Sequence, residues 1–87
     1  MTHQVTVLTR VGCHWCEQAE SDVARICAEL AVPWSAVDVD SDRDLRAEYG
    51  DMVPVIMIDG AQHGWGRLEE SRFRTALAAS GTAARRL

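Results

Sequence analysis

The sequence predicts an α/β fold in which a four-stranded mixed sheet is flanked by three helices, in the order βαβαββα. Three observations carry this. A β-branched run, Val5-Thr6-Val7-Leu8-Thr9, gives way at Gly12 to helical spacing. A helix placed between the first two strands implies that they run parallel. Asp59-Gly60, between two apolar segments, is a hairpin signal and implies an antiparallel pair.

The elements follow in order. Val5 to Thr9 reads as a short buried strand. From about Cys13 to Leu30, residues Cys16, Ala19, Val23, Ile26, Cys27 and Leu30 share one helical face, with Glu17, Glu20, Asp22, Arg25 and Glu29 mostly opposite. Pro33 is expected to stop this helix. Trp34 to Val39 alternates as a second strand does. Asp40-Ser41-Asp42 supplies an N-cap for a short helix through Leu45 and Glu48 that ends at Gly50. Val55 to Ile58 is apolar enough to lie inside the sheet. A short fourth strand runs from Ala61 to about Gly64. After Gly64-Trp65-Gly66, residues Leu68, Phe73, Ala76 and Leu77 mark a last helix, closed near Ser80-Gly81. Residues 1–81 thus form one domain, and residues 82–87 a short tail.

Composition narrows the function. Eighty-seven residues make a single domain, and 47% hydrophobic with 25% charged residues is ordinary for a globular chain. The net charge is −4, and the nine basic residues, all Arg, are dispersed, which excludes nucleic acid as partner. No apolar run approaches a membrane span, and no secretory signal follows Met1; the expectation is a cytoplasmic protein. The acid between Asp38 and Asp51 reads as a solvated face. Three cysteines are not a disulfide framework; in a reducing compartment Cys-x-x-Cys points to catalysis or metal.

Cys13-His14-Trp15-Cys16 puts a thiol at the first turn of a helix directly after a strand. Only the thiolate attacks a disulfide. At a helix start, amides without intrahelical partners and the positive end of the macrodipole both favour that thiolate. Arg10 adds a fixed positive charge if the turn brings it round. Cys16, one turn inward on the same face, is placed to resolve the mixed disulfide and is expected to be the more buried. Zinc and iron–sulfur sites use the same pair, but they need more ligands. His14 points away, and Cys27, eleven residues beyond Cys16, lies about 16 Å along the helix.

With these residues in view, the chain resembles the glutaredoxins, and more narrowly the short bacterial glutaredoxin-like proteins, over about Val5 to Leu77. The carriers are Arg10 three positions before Cys13, the Cys13-His14-Trp15-Cys16 site, Val53-Pro54 and Asp59-Gly60. The resemblance implies a thioredoxin fold with Pro54 cis, which would turn the Val53 backbone outward to pair with an extended peptide or a tripeptide thiol. The chain departs from the family pattern in three places. His14 stands where Pro is usual, Met52 where Thr is common, and Trp65 where a second glycine makes room for glutathione. Glutathione, another small thiol, or direct reduction by a flavoprotein reductase, as in redoxins serving ribonucleotide reductase, therefore stand side by side as electron sources.

Other residues have two readings. His14 is a tuner of Cys13 or an exposed first-turn residue, and Trp15 is a rim contact for substrate. Trp65 is a groove wall or ordinary packing. Arg67 is a partner for a ligand carboxylate or a solvated side chain. Trp34 and Cys27 read as core, His3 and His63 as surface residues, and Asp38 and Asp40 as caps and turns. The resulting expectation is a monomeric thiol–disulfide oxidoreductase with no tightly bound cofactor, acting on protein or low-molecular-weight disulfides. The alternatives are an iron–sulfur-cluster-binding module sharing a cluster between two chains through Cys13, and a redox-inactive interaction domain.

Overall fold

The computed structural model describes residues 3–78. Its elements are β1 (Val5–Thr9), α1 (His14–Leu30), β2 (Trp34–Asp38), a 3-10 turn (Val39–Ser41), α2 (Arg43–Tyr49), β3 (Val55–Ile58), β4 (Ala61–Trp65) and α3 (Glu70–Ala78). The sheet order is β2-β1-β3-β4. β1 runs parallel to β2 with Val5 opposite Trp34 and Thr9 opposite Asp38. It runs antiparallel to β3, with Leu8 opposite Val55. The β3–β4 hairpin is antiparallel and carries a register shift at Ile56/Met57. The expected βαβαββα order and mixed sheet are both present.

Alternation along β1 divides the molecule into layers, because successive side chains of a strand face opposite ways. Val5 and Val7 join Ala19, Val23, Ile26 and Cys27 of α1, Ile56 of β3, and Phe73 and Leu77 of α3 in one buried cluster. Leu8, with Val39 and Val55, forms a second cluster covered by Leu45, Tyr49, Met52 and Val53. α1 and α3 therefore cover one face of the sheet and α2 the other. Trp34, expected in the core, is only half-buried at the margin of the first cluster.

The element ends have local causes, and two strand ends, at Val39 and Trp65, differ from expectation by one residue. α1 ends at Leu30, as expected, where Ala31 turns left-handed at φ 55° and its amide returns to the Cys27 carbonyl. Val39 leaves β2 for the 3-10 turn, which the Asp38 carboxylate caps by accepting the Asp40 amide at 2.9 Å. Asp42 caps α2 through the amides of Asp44 and Leu45. Gly50 ends α2 with φ −54°, so positive φ is not its purpose; a Cβ there would lie 2.6 Å from the Arg46 carbonyl oxygen. Asp59 and Gly60 both have positive φ, 54° and 84°, as a type I′ hairpin requires. β4 runs on to Trp65. The close of the last helix near Ser80-Gly81 and the 82–87 tail lie outside the described residues.

The two outlying histidines are not the surface residues expected. His3 is 9% exposed, its Nδ1 2.5 Å from the Asp59 carboxylate, so the hairpin turn is tied to the start of β1. His63 is half-buried with its ring 5.9 Å from that of Phe73, and burial, then Arg72, holds it below the ordinary imidazole range. Neither contact is visible in the spacing, since each joins residues brought together by strand pairing or helix packing.

α1 and α3 are also joined at the surface. Arg25 and Arg74 both hold Glu70, and Arg74 reaches Glu29. Arg25, then Arg74, pushes the Glu70 carboxyl down to about 2 from an ordinary 4.5. A carboxylate depressed on folding stabilises the native state fully above its unfolded value and loses that contribution as pH falls toward the folded one. Glu70→Gln is thus expected to flatten the acid limb of thermal stability between pH 4.5 and 2, with convergence on wild type at the acid end. The effect is small because the group is exposed and screened. Melting curves that stay parallel across this range would contradict it.

Candidate functional site

The site is assembled where β1 ends and α1 begins. Leaving Thr9, the chain makes a turn in which the Cys13 amide donates to the Arg10 carbonyl at 3.2 Å. Gly12 takes φ 81°, as the third residue of a type II turn must. Cys13 is then the N-cap of α1, with φ −95° and ψ 109°, and the Cys16 amide donates to its Sγ at 3.1 Å. The sulfur thus takes the place that a serine or aspartate oxygen holds at most helix starts.

Cys13 and Cys16 form a disulfide, with Cα atoms 5.2 Å apart. Cys13 is half-buried and Cys16 is 2% exposed, so the first sulfur is the more accessible of the two. Both cysteines line an open cleft of about 300 Å³ with Thr9, Arg10, Glu17, Glu20 and Asp38. Arg10 is at this cleft, but its guanidinium is braced: Nε and Nη2 donate to the two oxygens of Asp40 at 3.0 and 3.1 Å, and Nη1 to the Gly50 carbonyl at 3.2 Å. The hydrogen bond to Asp40 raises the Arg10 pKa. Asp40 is therefore the residue that the sequence reading missed. Its pairing follows from the parallel register that sets Thr9 beside Asp38, which nothing in the chain's local pattern discloses.

The remaining candidates surround this centre. His14 and Trp15 are exposed and meet edge to face, ring centroids 5.8 Å apart. Val53 precedes a cis peptide bond to Pro54, which is fully buried. The Pro54 carbonyl accepts the Gly66 amide at 2.7 Å, so the end of β4 is held against the start of β3. Pairing of Leu8 with Val55 and of Val55 with Trp65 puts these segments at the Cys13 end of the sheet. Trp65 is 59% exposed and lines a small cleft. Arg67 borders that cleft and a larger one of about 410 Å³ beside His14 and Trp15. Cys27 is buried in the first cluster, and burial pushes its thiol up, away from reactivity.

Among the described residues no group of three His, Cys, Asp or Glu side chains is placed to hold a metal ion. Nor is any described helix long and apolar enough to cross a membrane.

Comparison with known proteins agrees with this fold. The family described as "Glutaredoxin-like domain (DUF836)" matches residues 4–78. An uncharacterized protein of Mycobacterium tuberculosis is 37% identical over 82 residues, covering 88% of this chain and 84% of its own. Among solved structures, a structural-genomics target protein from X. campestris is 29% identical with a TM-score of 0.71, covering 87% of this chain and 97% of that one. A mutant thioredoxin from Halobacterium salinarum superimposes with a TM-score of 0.67 at 20% identity, covering 98% of this chain and 76% of that one. The last likeness is one of fold.

Proposed function

Since the chain belongs to the glutaredoxin-like domain family and has the thioredoxin fold, we propose that it is a thiol–disulfide oxidoreductase working through Cys13 and Cys16. The observation that carries this reading is the pair itself: a reachable sulfur capping a helix, backed by a buried one within bonding range.

In the reduced protein, the amide of Cys16 that faces Cys13 Sγ, and the positive end of α1, favour the Cys13 thiolate. That thiolate attacks one sulfur of the substrate disulfide; a mixed disulfide forms and the other substrate sulfur leaves as a thiolate that takes up a proton. Cys16, deprotonated, then attacks Cys13 Sγ and expels the second substrate thiolate. Two electrons have moved from protein to substrate, and the protein is left as the Cys13–Cys16 disulfide. An external thiol, either glutathione or another low-molecular-weight thiol, or a flavoprotein reductase returns the two electrons. The half-buried Val53, held ahead of the cis peptide bond to the buried Pro54, is the backbone with which an extended substrate would pair. A monomer working in the cytoplasm on protein or small disulfides suffices for this chemistry.

The test has two parts. Thiol titration of the folded, reduced protein is expected to show two thiols lost on mild oxidation and regained with dithiothreitol, while Cys27 reacts only after unfolding. A coupled assay offering glutathione, other small thiols and thioredoxin reductase in turn then identifies the donor. Absence of a reversible two-thiol change sinks the proposal.

A further inference from the structure

Single exposed apolar side chains are ordinary, but several gathered at one end of a molecule and rimmed by polar groups mark a binding surface. Among the described residues, four are exposed: Val11, Trp15, Leu30 and Trp65. Leu30 ends α1, far from the site, but the other three stand at the Cys13 end of the sheet. Trp15 and Trp65 are 54% and 59% exposed, and each borders a cleft. The two clefts share Arg67 and Leu68, so Arg67 borders both the cleft of Trp15 and that of Trp65.

Charge gives this surface a direction. Arg10 is held by Asp40, Arg72 by the His63 carbonyl, and Arg25 and Arg74 by Glu70. Arg67 makes no such bond among the described residues. The carboxylates bordering its larger cleft, Asp22 and Glu70, already face Arg25 and Arg74, and the smaller cleft sets Glu69 against two cations, Arg67 and Arg72. On the opposite flank of the cysteine pair stand Glu17, Glu20 and Asp38, a place from which a ligand carboxylate is repelled.

We infer that Arg67, bordering the clefts of Trp15 and Trp65, is a specificity subsite for peptide disulfides that carry a carboxylate beside an apolar residue next to the cysteine. This rests on the oxidoreductase reading above. The indole faces take the apolar side chain and Arg67 takes the carboxylate, while the disulfide lies over Cys13. The balance of the reaction is unchanged: protein dithiol and peptide disulfide become protein disulfide and two peptide thiols.

The experiment measures single-turnover reduction of symmetrical disulfides of short peptides with Phe on one side of the cysteine and Glu, Gln or Lys on the other. The Glu peptide is expected to react about three- to fivefold faster than the Gln peptide, the range of an exposed ion pair, with the Lys peptide slowest and the spread shrinking in salt. Arg67→Gln is expected to compress the Glu/Lys ratio toward one, and Arg67→Glu to invert it. Activity without charge order in wild type, or an order unaltered in Arg67→Glu, overturns the inference alone. So does oxidised glutathione being the fastest substrate with no dependence on Arg67. Wild type inert toward every disulfide overturns the inference together with the oxidoreductase reading beneath it.

Discussion

Cys13→Ser is expected to reduce disulfides at least about 10³-fold more slowly than wild type, because it removes the nucleophile outright. A serine hydroxyl can cap α1 in the same position, accepting the Cys16 amide that Cys13 Sγ accepts at 3.1 Å. The variant should therefore stay folded, and the loss reports on chemistry rather than on stability. Cys16→Ser separates the two steps. It keeps the reachable sulfur but loses the buried one, so the first attack proceeds and the mixed disulfide persists. Mass spectrometry after mixing with a peptide disulfide should find one substrate thiol added per chain in Cys16→Ser and none in Cys13→Ser. The reverse pattern would exchange the two roles. Unimpaired turnover in Cys13→Ser would remove the mechanism altogether.

Phe73→Ala is expected to cost about 3–5 kcal/mol of folding stability. Phe73 is fully buried between α3 and the sheet, in the cluster with Val5, Ile26, Ile56 and Leu77. α3 has nine described residues and only two buried ones, Phe73 and Leu77, so little else holds it down. Small domains have about 5–15 kcal/mol in total, and a loss of this size leaves the variant near unfolding at 37 °C. Urea denaturation followed by far-UV circular dichroism measures it. Trp65→Ala is the control, because that ring is 59% exposed and its loss should change stability by less than about 0.5 kcal/mol. A shift of under about 1 kcal/mol in Phe73→Ala would mean that α3 is not anchored through this ring.

Much of this architecture was legible residue by residue. Val5 to Thr9 became β1 and Val55 to Ile58 became β3 with the expected bounds, since β-branched density leaves no good helical alternative. The helical face Cys16, Ala19, Val23, Ile26 and Cys27 is the buried face of α1, and Asp59-Gly60 made the hairpin its backbone preferences allow. Cys16 is more buried than Cys13, as one inward turn requires. Less local features were misjudged. His3 and His63 looked like surface residues because their partners, Asp59 and Phe73, are 56 and 10 positions away.

Local chemistry in the chain determined the strands, the helix faces, the hairpin turn and the two sulfurs, because each depends on backbone preferences and periodicities spanning only a few residues. Tertiary structure alone decided that Arg10 is braced by Asp40 and the Gly50 carbonyl. It also decided that Trp15 and Trp65 each share a cleft with Arg67. Those pairings depend on strand order and register, which are set when separate apolar faces find a common core, and no short window of sequence contains that information.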